Sequence, residues 1–447
     1  MKKVLFLLLS MAFGEQAMIA QEMYAEFVEN DSTLTFYYDD LRSTREHVTY
    51  DVGKSHEWNE DFSTQFKIKT VIFDDSFADA RPTTTSGWFQ YVTMRFIKGI
   101  ENLNTSNVKD MSSMFSSCYG LDSIDLSSFD TSNVTRMDNM FLCCWRLTSL
   151  DLSNFDTSKV TKMGGMFSGC EALTSLDVSN FDTSNVNDMD GMFEDCVGLT
   201  SLDLSNFDTS NVTRRISNMF SGCSNLTSLD LSNFDTSNVT RMEDIFSGCS
   251  NLTSLDVRNF DTSKVTRMDG MFSGCSSLVS LDVTSFNTSK VGRMDGMFSG
   301  CSNLTSLDVS NFDTSNVTRI SNMFSDCSSL NTIYVSDKWS YNGDQSDGMF
   351  SNCLNLVGEE GTIYSEEHID GEYARVDKGE EAPGYFTFKA RRDLNDDGKV
   401  STADIQVIIN TMKVGQQSEN ADPIYDLNKD GKISTADIQV IINEMKK

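Results

Sequence analysis

The sequence repeats every 26 residues, and that period limits the possible folds more than any other feature. One copy, residues 147–172, reads LTSLDLSNFDTSKVTKMGGMFSGCEA. Its apolar skeleton is Leu147, Leu150, Leu152, Phe155, Val160, Met163, Met166, Phe167 and Cys170. The Cys slot recurs at 118, 144, 170, 196, 223, 249, 275, 301, 327 and 353. Every step is 26 residues except 196 to 223, which is 27; the extra residue falls in Asn211–Phe220 (NVTRRISNMF). So short a unit must stack on its neighbours to bury its apolar side, which makes a solenoid and not a globule.

Within the unit, Leu150-Asp151-Leu152 alternates as a strand does. Phe155-Asp156-Thr157-Ser158 reads as a corner, with Thr or Ser placed to cap a helix. Val160, Met163, Met166, Phe167 and Cys170 follow at spacings of 3, 3, 1 and 3, which predicts one face of a helix of about three turns. At helical spacing the Met stripe reads as core. Strand, corner, helix and return resemble the leucine-rich repeat, with Phe155 following the place where that pattern often has Asn. The expected fold is an α/β solenoid, a right-handed stack of about ten repeats over 96–358. Equivalent Cys would form a column of buried thiols, with disulfides between neighbouring turns as the alternative. Cys143 alone lies outside that column.

A solenoid needs covers for its open ends. Residues 21–95 do not repeat and carry strand-like runs at Leu34–Tyr38 and Ile68–Phe73, which suits an N-terminal cap. His47, His56, Trp58 and Trp88 lie in it without metal-ligand spacing and read as packing and surface. Residues 359–390, with Pro383 and several aromatics, read as a β-rich C-terminal cap. The first 20 residues have two Lys and then an apolar run from Val4 to Phe13, too short to span a bilayer, as in a secretory signal peptide. Cleavage after Gly14 or after Ala20 both fit. A formal charge of −30 disfavours nucleic acid and anionic membrane surfaces and suits cationic partners. No stretch is apolar enough for membrane insertion, and the expected state is a monomer.

Two columns run along the stack. Alternation turns Asp125, Asp151, Asp177, Asp203, Asp230, Asp256, Asp282 and Asp308 outward on the expected concave face. At a strand spacing of about 4.8 Å, such carboxylates repel by about 1 kcal/mol per neighbour in water. Ser hydroxyls, partial protonation, a cation or a basic partner would offset this. The column is thus either a ligand strip or a solubilising face spread by repeat copying. A basic column, Arg136, Lys162, Arg214, Arg241, Arg267, Arg293 and Arg319, begins the expected helix and faces solvent.

The wording LTSLDLSNFDTSNVTRMDxMFSGCSN resembles the BspA-like leucine-rich repeat surface proteins of bacteria, from about residue 65 to 390. Asp74–Thr83 before the repeats and Gly361–Thr387 after them share in it. The resemblance implies an exported, non-enzymatic and often adhesive protein that meets a protein or glycan ligand through the solenoid face.

A second repeat closes the chain, in residues 391–447. Asp393-Leu-Asn-Asp-Asp-Gly-Lys-Val-Ser-Thr-Ala-Asp404 returns 33 residues later as Asp426-Leu-Asn-Lys-Asp-Gly-Lys-Ile-Ser-Thr-Ala-Asp437. Each is a 12-residue Ca²⁺ loop with oxygens at positions 1, 3, 5, 9 and 12. These are Asp393, Asn395, Asp397, Ser401 and Asp404, then Asp426, Asn428, Asp430, Ser434 and Asp437. Lys399 and Lys432 would supply position-7 carbonyls, and Gly398 and Gly431 permit the sharp turn. A helix follows each loop, with Ile405, Ile408, Ile409 and Met412 on one face, and Ile438, Ile441, Ile442 and Met445 repeating it. Paired loop–helix units ending in Asp at position 12 resemble a type I dockerin. That resemblance implies two Ca²⁺ ions and docking to a cohesin-bearing scaffold or surface protein. It also implies partner choice through Thr402-Ala403 and Thr435-Ala436, whose identity in both halves allows two binding orientations.

The expected protein is a secreted bacterial surface-binding protein with no catalytic role. The alternative is a non-catalytic part of a cellulosome-like, polysaccharide-degrading complex. Nothing in the sequence places two carboxylates across one cleft or builds a nucleophile site.

Overall fold

The computed structural model describes residues 20–52, 58, 62–341, 345–389, 394, 400–413, 425–428 and 432–446. The expected signal peptide lies outside these, apart from Ala20. So do His56 and Asp393, Asn395, Asp397, Lys399 and Asp430 of the calcium loops.

The N-terminal cap is a five-stranded sheet in the order β3-β1-β2-β4-β5. Strand β1 (Glu22–Val28) runs antiparallel to β2 (Thr33–Asp39) and to β3 (Val48–Asp51). Strand β4 (Thr70–Phe73) lies parallel to β2 and to β5 (Phe96–Lys98). The two strand-like runs in the sequence are β2 and β4. One helical turn, α1 (Phe62–Gln65), precedes β4. Phe36 stacks on Phe73 at 4.8 Å and on Trp88 at 5.4 Å between centroids. Buried Trp58 donates its indole N–H to the Trp88 carbonyl at 2.7 Å. This aromatic layer closes the end of the core.

The stack starts earlier than its Cys column. Thr84 bridges to Asp110, and the Phe89 N–H reaches the Met114 carbonyl at 2.9 Å. The first coil therefore lies inside the segment expected as cap, with Val92 in the later Cys slot.

The expected helix of each repeat is replaced by turns. The Met140 N–H bonds the Met137 carbonyl (3.2 Å), and the Cys144 N–H bonds that of Phe141 (3.1 Å). Between them, Asn139 and Cys143 have φ of +58° and +55°; in the next coil Gly165 and Gly169 have +63° and +71°. A left-handed residue at every fourth position is incompatible with a right-handed helix and is what successive type II turns require. The N–H groups left free point to the next coil. Met137 donates to Lys162 (3.0 Å), Asn139 to Gly164 (2.9 Å) and Phe141 to Met166 (2.9 Å). The apolar residues still face inward, since one turn per four residues returns Met140 and Cys144 to the same side.

Leu150 and Leu152 are buried and Asp151 exposed, as alternation predicts. Among the described residues, however, strands at this edge occur only in β6 (Ser306–Asp308) and β7 (Thr332–Val335), joined by β8 (Phe386–Phe388). Side chains stitch the other coils. Asn154 donates to the Leu126 and Phe129 carbonyls at 3.0 and 2.8 Å, and Asn180 repeats this one coil on. The buried Thr157 hydroxyl accepts from the Asp182 N–H (2.8 Å) and donates to the Asp182 carbonyl (3.0 Å). This Thr caps no helix; it ties one corner to the next.

Inside, Phe89 to Phe350 form a stack of eleven rings, starting at 5.5 Å (Phe89–Phe115) and ending at 5.8 Å (Phe324–Phe350). The ten column cysteines are buried free thiols. Cys144 Sγ donates to the Phe115 carbonyl at 3.1 Å, a bond repeated along the column. Burial pushes the Cys144 thiol up to about 12.

The C-terminal cap adds β8 parallel to β7. At its centre, buried Asp377 accepts the N–H groups of Glu360 (2.8 Å) and Thr362 (3.0 Å) and the Thr362 hydroxyl (2.7 Å). In the terminal module, helices α2 (Thr402–Lys413) and α3 (Thr435–Glu444) pack through Ile408 and Ile441, with Leu394 and Ile433 beneath. Val407, and not Ile409, joins this small core; Met445 is 44% exposed.

Candidate functional site

Three arrangements could carry function, and the terminal module is the most specific. Asp437 is fully buried, and its carboxylate spans its own loop. One oxygen accepts the Asn428 N–H at 3.1 Å and the other the Ser434 N–H at 2.6 Å. Asp404 does the same in the first loop, from Leu394 and Ser401, both at 2.7 Å. The short Asp arm therefore reaches because the helix starts directly on the loop. Ser434 also caps α3, accepting from the Ala436 N–H at 3.1 Å and forming a capping box with Asp437. Buried carboxylates on loops whose side-chain donors are all oxygen fit a hard cation such as Ca²⁺. Thr402, Ala403, Thr435 and Ala436 stand exposed on the first turns of α2 and α3, in equivalent places.

The acidic column has an internal explanation. Each Asp accepts the N–H two residues ahead: Asp125 from Ser127, Asp151 from Ser153 and Asp177 from Ser179, all at 3.0 Å. Asp203 and Asp230 repeat this with Ser205 and Ser232 at 3.0 Å, and Asp282 with Thr284 at 3.1 Å. These are Asx turns, which fold the chain where the coil leaves its straight edge. The same bonds hold the Asp151 carboxyl below the usual range although Asp125 and Asp177 push it up. Arg258 grips Asp256 in a fork and brings it down to about 2. Asp308 pairs with Lys389, from the end of the C-terminal cap.

The basic column starts a line of turns, and it is an ion-pair ladder. Arg215, not Arg214, takes the place in register, bridging to Arg241; Arg214 sits one place earlier, its carbonyl accepting from the Thr240 N–H at 3.2 Å. Glu243 receives Arg241 (2.6 Å) and Arg267 (3.0 Å). Asp269 receives Arg267 (3.1 Å) and Arg293 (2.9 Å), and Asp295 receives Arg293 (3.3 Å) and Arg319 (2.9 Å). The ladder breaks at Asp188, where Asp stands in the Arg slot. The sequence carried a signal that was missed: NVNDMDGMFEDC at 185–196, where the copy at 264–275 has KVTRMDGMFSGC.

Among the described residues no helix is long and apolar enough to cross a membrane.

The family described as "Mycoplasma protein of unknown function, DUF285" matches four overlapping stretches, residues 60–170, 83–197, 142–255 and 242–359. The type I dockerin domain matches 391–446. No curated protein matches the chain. One similar solved structure is the functional domain of InlJ from Listeria monocytogenes, which includes a cysteine ladder. It is 18% identical over 62% of this chain and 60% of that one, with a TM-score of 0.28; this chain thus spans 60% of its length. A leucine-rich repeat protein from Eubacterium ventriosum is 16% identical over 79% of this chain and 91% of that one, with a TM-score of 0.32. The repeats and the dockerin are scaffold and interaction families, and dockerins act by capturing cohesins in cellulosome-type assemblies. The stacked coils, their Cys column and the appended loop–helix pair together make this chain a member of the DUF285 (BspA-like) leucine-rich repeat family with a C-terminal type I dockerin.

Proposed function

We propose that this is a secreted bacterial surface-binding protein, an adhesin or interaction scaffold, that displays its solenoid while its dockerin holds it to a cohesin. The supporting observation is the pairing of two calcium-type loops with equivalent exposed Thr-Ala steps on α2 and α3. Two Ca²⁺ ions would be held by Asp393, Asn395, Asp397, Lys399 (carbonyl), Ser401 and Asp404, and by Asp426, Asn428, Asp430, Lys432 (carbonyl), Ser434 and Asp437. Thr402, Ala403, Thr435 and Ala436 would contact the cohesin, and their duplication gives two orientations. Such a chain has no catalytic role. The signal-like N-terminus supports export. The strip from Asp125 to Asp308 keeps the face soluble and presents it to a protein or glycan ligand.

The dockerin also favours a second reading, a non-catalytic part of a polysaccharide-degrading complex. One experiment tests the shared core. Full-length protein is followed by circular dichroism and by capture on an immobilised cohesin panel, with Ca²⁺ and with chelator. Helical signal and capture should both fall with chelator while the solenoid stays folded. An unchanged spectrum and no Ca²⁺-dependent capture would sink the dockerin assignment of function.

A further inference from the structure

The break in the ion-pair ladder is a pocket. From Arg241 to Arg319 an Arg side chain lies between successive carboxylates, and Glu243, Asp269 and Asp295 each receive two guanidinium groups within 3.3 Å. Two substitutions undo this pattern around residue 190. Gly164 replaces the carboxylate residue of its coil, and Asp188 replaces the Arg of the next. A cavity of about 260 Å³ opens there, lined by Asp138, Asp188, Asp190, Glu194 and Arg215 over a floor that includes Gly164. Its carboxylates are unevenly matched by internal cations: Arg136 forks onto Asp138 at 2.9 and 3.0 Å, but Asp188 and Asp190 have no such fork. Among the described residues, Asp190 pairs with Arg215 alone, at 3.6 Å, and Asp188 with Lys162 alone, at 3.5 Å. The other Asp190 oxygen is buried and accepts no hydrogen bond. A buried, unmatched carboxylate oxygen is costly unless a donor reaches it. Burial raises the Asp190 and Glu194 carboxyls above their usual range.

We propose that this pocket takes up the guanidinium of an arginine side chain from a partner protein. The stack itself shows what the slot holds, since the same carboxylate position carries guanidinium in the coils of Glu243, Asp269 and Asp295. A planar fork meets two carboxylates at once, which an ammonium does not. The coil that supplies Asp138 and Leu142 to the pocket also carries Trp145, which is 48% exposed and packs on Tyr119 at 4.6 Å. Among the described residues no group of three His, Cys, Asp or Glu is arranged to hold a metal ion.

The inference rests on the reading of the solenoid as a protein-binding face. The probe is N-acetyl-arginine methylamide, titrated into the full-length protein with Ca²⁺ present and followed by NMR, with the citrulline analogue as control. Arginine should bind at least about tenfold more tightly than citrulline, the loss of one charge-assisted pair. Asp188→Arg restores the residue found in the same slot of neighbouring coils, so the fold is kept. It should abolish probe binding and raise the melting temperature. Asp190→Asn should weaken binding without filling the pocket. Equal binding of citrulline, unchanged binding by Asp188→Arg, displacement of the probe by millimolar Ca²⁺, or no probe binding overturns the proposal. Cohesin capture, measured on the same samples, separates that failure from a failure of the dockerin reading.

Discussion

Gly165 and Asn139 hold the same slot in consecutive coils, and both take a left-handed backbone. Asn tolerates this conformation through its short polar side chain, and Gly at no cost. Gly165 has a second reason to be Gly, because a Cβ there would run into the Asn139 Oδ1. Gly292 has ordinary φ, and its nearest neighbour to such a Cβ is 3.9 Å away. Gly165→Ala should therefore cost about 1–2 kcal/mol in urea unfolding, while Gly292→Ala is neutral or slightly stabilising. Equal effects would contradict the turn assignment. The Asp column is explained at this scale too. Each carboxylate binds the backbone two residues on, so the column has a structural use before any ligand is considered.

In the C-terminal cap, one side chain organises the element. Burial pushes the Asp377 carboxyl up, but the bonds from Thr362, Gly379 and Glu360 outweigh it and hold it below the usual range. A carboxyl lowered in the folded state stabilises above its unfolded value and loses that contribution as pH falls through the folded one. The cap should therefore loosen below the usual carboxylate range. Asp377→Asn should cost about 1–3 kcal/mol at neutral pH and flatten the acid limb of a melting curve; an unaltered limb would remove Asp377 from this role. The elements also show what the sequence could convey. Period, inward residues and the Cys column were legible because stacking equivalent positions requires no knowledge of local structure. The helix was misread because the spacing Val160, Met163, Met166, Phe167, Cys170 fits inward residues of successive turns as well as a helix face. Gly165 and Gly169, four apart, carried the distinguishing information. The dockerin was legible because its two loop–helix copies are nearly identical over short, contiguous stretches. The pocket at Asp188 was not, since its walls come from several coils, and a departure from a copied pattern has meaning only once the slot is seen to hold an ion pair.

As a whole, the molecule is a stack in which each coil binds only its neighbours, through Thr157-type and Asn154-type side chains, rings and thiols. Stability in such a body is close to a sum of coil and interface terms. The C-terminal end gives this arrangement a mechanical meaning. The last solenoid strand is β8, held beside β7 by parallel pairing, and Lys389 just after it grips Asp308. Any tension on the dockerin therefore reaches the solenoid first through β8, and only then the coils in turn. Load carried in series through near-identical interfaces is shed one coil at a time. Under optical tweezers, each release of 26 residues should lengthen the chain by about 80–90 Å; a single rip of the whole stack would show that the coils act as one. A protein held by its end would thus yield to drag as a shock absorber does, paying out length while its distal coils stay folded.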